Sequence, residues 1–127
     1  MRAQYHFRPS PAGLRAWNVS KLVQLSRDFP REKLPLAAIR ELDEPYWTTG
    51  HTQGLTCREV SEHAQLIRDS DLAYPVILSS DGRVMDGMHR VCKALLGGRT
   101  EIEAVRFLTD PEPDFVGVDP DDLPYDD

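Results

Sequence analysis

Five consecutive residues, Asp86-Gly87-Met88-His89-Arg90, combine side chains and backbone freedom that suit the binding of an anion. Gly87 falls between a predicted strand and a predicted helix, where a glycine permits a tight turn with several backbone N–H groups facing one way. The dipole of the following helix adds partial positive charge at that point. Arg90 can hold a phosphate through two parallel hydrogen bonds. The pattern therefore predicts a phosphate-binding turn.

Charged side chains around the turn extend the predicted site. His89 and Arg90 lie in the first helical turn, where basic side chains oppose the helix dipole unless an anion is bound there. Lys93 follows three residues after Arg90, one helical turn along the same side. Asp86, at the end of the strand, can hold the loop through its N–H groups, ligate a metal or meet a sugar hydroxyl. The alternative is purely structural, because Asp-Gly before a helix is also a common turn.

The elements next to the turn follow from local signals. Residues 75–78 and 83–85 are two predicted strands, and Asp81-Gly82 between them predicts the tight turn of a hairpin. A helix is predicted from Met88 to a left-handed cap at Gly97-Gly98. These elements place the turn between the second strand of the hairpin and the helix.

Further elements are predicted on either side. Thr56 and Glu59 match a capping box, which predicts a helix as far as residue 69. Asn18 caps an earlier predicted helix, after an opening segment expected to be irregular because of its prolines. Residues 34–39 form a predicted strand, restricted by a proline to a sheet edge or strand start, and residues 101–107 form a last one.

Aromatic and histidine residues near the second helix are secondary candidates. Tyr46 and Trp47 are expected to pack against that helix, with stacking on a nucleotide base as the alternative. His63 lies on its apolar face, which predicts a partly buried, hydrogen-bonded histidine. His51 is expected on the surface of a polar loop. The spacing of Cys57 and these histidines fits no zinc pattern.

With its flanking elements, the turn resembles that of the ParB/sulfiredoxin-like superfamily, whose members place a Gly-x-His-Arg or Gly-Glu-Arg-Arg turn between a strand and a helix. The resemblance covers residues 34–107, where the predicted elements follow the superfamily's order. It implies an α/β (α+β) fold with a small mixed β-sheet and flanking helices. It also implies that the turn binds a nucleotide or phosphate.

Branches of the superfamily differ at and beyond the turn. Sulfiredoxin has a cysteine just before the motif histidine, where this chain has Met88, which argues against sulfinic-acid reduction. Partition proteins bind cytidine nucleotides and continue into helix-turn-helix segments, where this chain has an acidic tail. The free serine kinases carry an Asp-Gly-x-His-Arg turn, which residues 86–90 match. That similarity implies a phosphotransferase using ATP, ADP or CTP with Mg²⁺.

The kinase-like resemblance also implies roles for individual residues. Arg90 and the turn hold the phosphate, His89 polarises it, and Asp43 or Glu44 accepts a hydroxyl proton. In those kinases a His-Glu pair follows the first strand; Asp43 and Glu44 stand in about that place. Ordinary solvated charges at Glu41, Asp43 and Glu44 are the alternative.

Charge is unevenly distributed along the 127 residues, whose net charge is −6. Eight acidic and no basic residues lie in 110–127, so residues 1–109 carry +2. A nearly neutral body argues against strong non-specific DNA binding, which needs a basic face. We predict one domain over 1–109, with an N-terminal helical extension, and an acidic, Pro-containing tail over 110–127.

Two other functions stay open on these grounds. One is a non-catalytic binding or regulatory module whose acidic tail engages a basic protein partner or covers its own site. The other is a DNA-associated protein of partition or nuclease type. No apolar run approaches the ~20 residues needed to cross a bilayer, and no apolar signal core follows Met1. We therefore expect no membrane association and a cytoplasmic location.

Overall fold

The chain folds into two β-sheets and three α-helices within residues 3–48 and 54–125, which a computed structural model describes. The strands are β1 (Tyr5–Arg8), β2 (Arg15–Asn18), β3 (Glu32–Pro35), β4 (Val76–Leu78), β5 (Val84–Asp86), β6 (Glu101–Arg106) and β7 (Phe115–Val116). The helices are α1 (Val19–Ser26), α2 (Cys57–Asp69) and α3 (Met88–Leu96). None of the helices in these two ranges is long and apolar enough to cross a lipid bilayer.

The larger sheet has the strand order β3-β6-β4-β5. β4 runs parallel to β6, whereas the other two pairs are antiparallel, so the sheet is mixed and the predicted α+β class is confirmed. β4 is apolar at every position and fully buried. Val91 and Ala94 of α3 join Val76 and Leu78 of β4 in one core cluster. Packing of α3 on this sheet fixes the turn between β5 and α3.

The helix caps and glycine turns predicted from the sequence are present in the structure. The Thr56 hydroxyl accepts the Glu59 N–H at 3.1 Å, and the Glu59 carboxylate accepts the Thr56 N–H at 3.2 Å, which completes the capping box. Asn18 caps α1 by accepting a backbone N–H. Gly82 in the hairpin turn and Gly98 after α3 have φ angles of +83° and +76°. Each of these features depends only on neighbours in the sequence.

The strand predicted at residues 34–39 is correct only at its start. β3 ends at Pro35, and Leu36–Ala38 form a 3-10 turn. β6 begins at Glu101, which pairs with Pro35, so the residues beyond have no strand to pair with. The turn instead directs Leu36 into the core. β3 is an edge strand, as its proline predicts.

The opening segment, predicted to be irregular, forms an antiparallel pair of strands, β1 and β2. In the turn between them, Ser10 and Gly13 exchange two backbone hydrogen bonds of 3.0 Å. Pro9 and Pro11 lie in this turn, so they do not interrupt the pairing. The prolines that indicated an irregular segment therefore mark only its loop.

The segment predicted to be an extended acidic tail packs against this hairpin. β7 pairs with β2, which gives a second sheet of order β1-β2-β7. Trp17 donates from Nε1 to the Pro111 carbonyl at 2.8 Å, and Asp114 accepts the Asn18 N–H at 2.8 Å. Leu123 is buried. The two hydrogen bonds join positions 94 and 96 residues apart, which no local signal can predict.

Candidate functional site

Gly87 separates β5 from α3, and its backbone conformation favours a glycine. Its φ angle is +107°, in a region that residues with side chains rarely adopt. A Cβ atom at this position would lie 2.7 Å from Arg90 Nη2. The first N–H groups of α3 have no partners within the helix and carry the positive end of its dipole. The turn therefore has the strand-glycine-helix geometry that the sequence predicts.

Arg90 forms an ion pair with Asp86 across the turn. Its Nη2 lies 3.0 Å from Asp86 Oδ2, and the two side chains are only 16% and 23% exposed. Arg90 Nε is buried and has no hydrogen-bond partner in the described part of the chain. Because a guanidinium carries five N–H donors, the pair with Asp86 leaves donors for another acceptor. An unpaired buried donor costs about 1–3 kcal/mol, which an oxyanion reaching it would offset.

Two clefts meet at this ion pair, and both are lined by Asp86 and Arg90. The turn cleft, about 480 Å³, is completed by Gln4, Leu66, Asp69, Ser70, Gly87 and His89. The α1 cleft, about 340 Å³, includes Val23, Arg27, Arg31, Tyr74, Ile77 and Val105. Both volumes fall within the range of small-molecule sites, about 300–1,000 Å³.

His89 lines the turn cleft and belongs to a stack with Trp47 and His63. The ring centroid of His89 lies 4.7 Å from that of Trp47, and the ring centroid of His63 lies 4.4 Å from it. The two imidazole centroids are 5.2 Å apart, so both rings lie on the same side of the indole. His63 Nδ1 and His89 Nε2 are 2.9 Å apart and share one hydrogen bond. His63 is thus half-buried and hydrogen-bonded, as predicted.

The environment of His89 disfavours its charged form. Burial, and next the neighbouring His63, lower the pKa of His89 from its ordinary value of 6.5. His89 is therefore neutral near pH 7 and can donate or accept a single hydrogen bond in the turn cleft. It does not contribute a positive charge there.

Lys93 does not line the turn cleft, although one of its partners, Ser70, does, and its predicted contact with a phosphate stays a prediction. Its Nζ donates to the carbonyls of Arg68 and Ser70, at 2.8 Å and 2.5 Å. These carbonyls belong to the C-terminal end of α2, where helical carbonyls lack partners and favour a cation. Lys93 therefore joins α3 to α2.

The two acidic residues predicted as proton acceptors are not gathered in the turn cleft. Glu44 pairs with Arg83 at 2.9 Å and lines a separate pocket of about 170 Å³, together with the buried Met88. Asp43 is exposed and lines none of these three cavities. The catalytic roles that the resemblance implies for Asp43 and Glu44 stay predictions.

Glu41 is buried, which corrects its expected place among solvated charges. Its Oε2 accepts the Val84 N–H at 2.6 Å, and its Oε1 lies 3.6 Å from Arg83 Nη1. Arg83 thus lies between Glu41 and Glu44, and the three residues fasten the segment after β3 to β5. Charged residues are rarely buried unless paired, and the pairing partner here is too distant in sequence to be recognised.

Sequence reasoning missed a polar cluster between the N-terminal hairpin and the larger sheet. Arg8 donates from Nε to His6 Nε2 at 2.9 Å and from Nη2 to the Ser79 hydroxyl at 3.0 Å. Burial lowers the pKa of His6 to about 4, so its neutral ring accepts this bond. The sequence signal for this contact was the i, i+2 spacing of His6 and Arg8, because two residues at that spacing lie on the same face only in a β-strand.

Tyr46 is also affected by its surroundings. Burial and then nearby carboxylates raise the pKa of Tyr46 to about 12, so its hydroxyl stays protonated.

The remaining candidates are metal-ligating side chains and the two cysteines. No group of three or more metal-ligating side chains occurs within residues 3–48 and 54–125. His51, the candidate in the polar loop, lies outside those residues. Cys57 is exposed, and burial raises the pKa of the Cys92 thiol, which disfavours a reactive thiolate.

Comparisons with protein-family models, curated proteins and solved structures found no match to this chain. The resemblance to the ParB/sulfiredoxin-like superfamily rests on the turn and the order of elements, and it stays a prediction. The geometry itself defines an α+β protein in which two clefts meet at one half-buried ion pair.

Proposed function

We propose that the turn cleft binds the phosphate of a nucleotide or another phosphorylated small molecule. The observation that carries the proposal is the Arg90 guanidinium, which lies against Gly87, lines the cleft and has a buried Nε without a hydrogen-bond partner in the described residues. Free N–H groups at the start of α3 add donors and partial positive charge beside it. Phosphate oxygens accept hydrogen bonds from both kinds of donor.

The charge around the turn cleft disfavours a nucleic acid. Arg90 is the one cationic side chain among the residues that line it, and Asp69 and Asp86 are also present. A polyanion needs many phosphates neutralised at once, which this cleft does not offer.

A magnesium ion fits this arrangement only together with the ligand. Mg²⁺ in nucleotide sites is held by one or two carboxylates and the substrate phosphates. Asp69 suits this role, because its one ion pair among the described residues is with Arg68, at 3.5 Å on the surface. Asp86 is already paired with Arg90.

The proposal is limited to binding and does not include phosphoryl transfer. A kinase-like reaction requires a base close to the phosphate, and Asp43 and Glu44 lie outside the turn cleft. A binding or regulatory module is therefore the function that the geometry supports best.

Thermal unfolding with ATP, ADP and CTP, each with and without Mg²⁺, tests the proposal. A ligand that binds only the folded state raises Tm. We expect at least one nucleotide to do so, and we expect Arg90→Gln to weaken its binding at least tenfold. Arg58→Gln is the matched control, because Arg58 is exposed on α2 and lines neither cleft.

Failure of all three nucleotides to raise Tm contradicts the proposal, as does equal binding by the Arg90 and Arg58 variants. Circular dichroism of Arg90→Gln would show that the variant is folded before its binding is compared. Phosphorus NMR of the bound nucleotide would show in addition whether it is turned over.

A further inference from the structure

We propose that the α1 cleft holds the base of the same nucleotide whose phosphate lies in the turn cleft. This inference rests on the proposed function and assigns the second half of the ligand. Four of the residues that line the α1 cleft lie outside the region of resemblance, residues 34–107: Val23, Ser26, Arg27 and Arg31.

The floor of the α1 cleft is apolar, and its rim carries an exposed aromatic ring. Val23 of α1, Ile77 of β4 and Val105 of β6 line it, and Ile77 and Val105 are buried. Tyr74, which precedes β4, also lines the cleft and is 60% exposed. A flat ring entering this cleft would cover apolar surface and meet an aromatic side chain on which it can stack.

The charges of the α1 cleft match a ligand that also carries negative charge. Three arginines line it, and Asp86 is its one acidic residue among those described. Arg31 donates to the Ala73 carbonyl at 2.9 Å and pairs with Glu103 at 3.0 Å, whereas Arg27 makes no ion pair with any described residue. The apolar floor of the α1 cleft and the Arg27 cation at its edge therefore favour a ligand that has an aromatic ring attached to an anionic group.

The ion pair of Asp86 and Arg90 joins the two halves of the proposed site. Both residues line both clefts, so one molecule can contact the pair from the two sides. The phosphate would lie on the Gly87 side, next to the start of α3. The base would lie on the Tyr74 side, and Asp86 between them can accept a hydrogen bond from a sugar hydroxyl.

Isothermal titration calorimetry with ADP and with inorganic pyrophosphate separates the two halves. We expect Tyr74→Ala to lower ADP affinity about tenfold, equal to about 1.4 kcal/mol, and to leave pyrophosphate affinity unchanged. Tyr74→Phe keeps the ring and should bind ADP like the wild type. Leu108→Ala is the control for loss of an exposed apolar side chain, because Leu108 is 94% exposed and lines neither cleft.

The outcomes distinguish this inference from the proposed function. If ADP binds through Arg90 but Tyr74→Ala changes nothing, or weakens ADP and pyrophosphate equally, the base lies elsewhere and only this inference is overturned. If neither ADP nor pyrophosphate binds the wild type and ATP and CTP also fail to bind, both proposals are wrong.

Discussion

At the scale of single residues, the Asp86–Arg90 pair explains why a basic residue occurs in the first turn of a helix. The sequence predicted an anion as the reason, and the protein supplies one itself, the Asp86 carboxylate at 3.0 Å. An i, i+4 pair of this kind cannot be told from a ligand-binding arginine by sequence. The unpartnered Nε of Arg90 is the feature that the sequence does not reveal and that favours a ligand.

The stack of Trp47, His63 and His89 gives a prediction about pH. Because burial and His63 lower the pKa of His89, its ring should titrate with a midpoint below 6.5, measured by NMR of the imidazole nitrogens. The unfolded chain binds this proton more readily, so the free energy of unfolding should fall as the pH drops below 6.5.

The variant His63→Gln separates the two causes of the shift. It removes the interaction with the His63 ring but leaves the His89 ring half-buried, so the pKa of His89 should rise and still lie below 6.5. A wild-type midpoint at or above 6.5 would contradict the described surroundings of His89.

At the scale of elements, the caps and turns were predictable and the long-range strand pairs were not. The capping box of Thr56 and the hairpin around Gly82 depend on residues three or four positions apart, so the sequence alone identifies them. β1 and β2 form a local hairpin that the prolines of its turn obscured, whereas β7 pairs with β2 from about a hundred positions away. Such pairing depends on tertiary packing, which outweighs local propensity.

Lys93 offers a test of how α2 is held against α3. In Lys93→Met, the carbonyls of Arg68 and Ser70 lose their donor, so we expect a loss of about 1 kcal/mol in the free energy of unfolding. Amide hydrogen exchange in the last turn of α2 should become faster. Lys33→Met is the control, since Lys33 is exposed on β3 and its ion pair to Glu101 is 3.8 Å long. Equal stability of the two variants would contradict the bridging role of Lys93.

At the scale of the whole molecule, the acidic segment contributes to the fold as well as to the charge. Its contacts with β2 include the Trp17 indole and the Asn18 N–H. A role in engaging a basic partner stays a prediction, and any such partner would contact a segment that is already packed.

Deleting residues 111–127 should therefore lower Tm by several degrees, because β7, the Trp17 hydrogen bond and the burial of Leu123 are lost together. Chemical denaturation would give the matching loss in the free energy of unfolding. The control is Glu112→Gln with Asp122→Asn, which removes two charges from exposed positions and keeps the packing. If the deletion and the control unfold alike, the segment does not stabilise the fold.

The central claim is that the turn from Gly87 to Arg90 binds a phosphate, and backbone amide NMR tests it most directly. On titration with ADP or pyrophosphate, the amide resonances of residues 87–91 should shift furthest and saturate with a single binding constant. The amides of Gly54 and Gly98, which line neither cleft, should not shift. Saturable shifts elsewhere with none at residues 87–91, or no shifts at all, would contradict the claim.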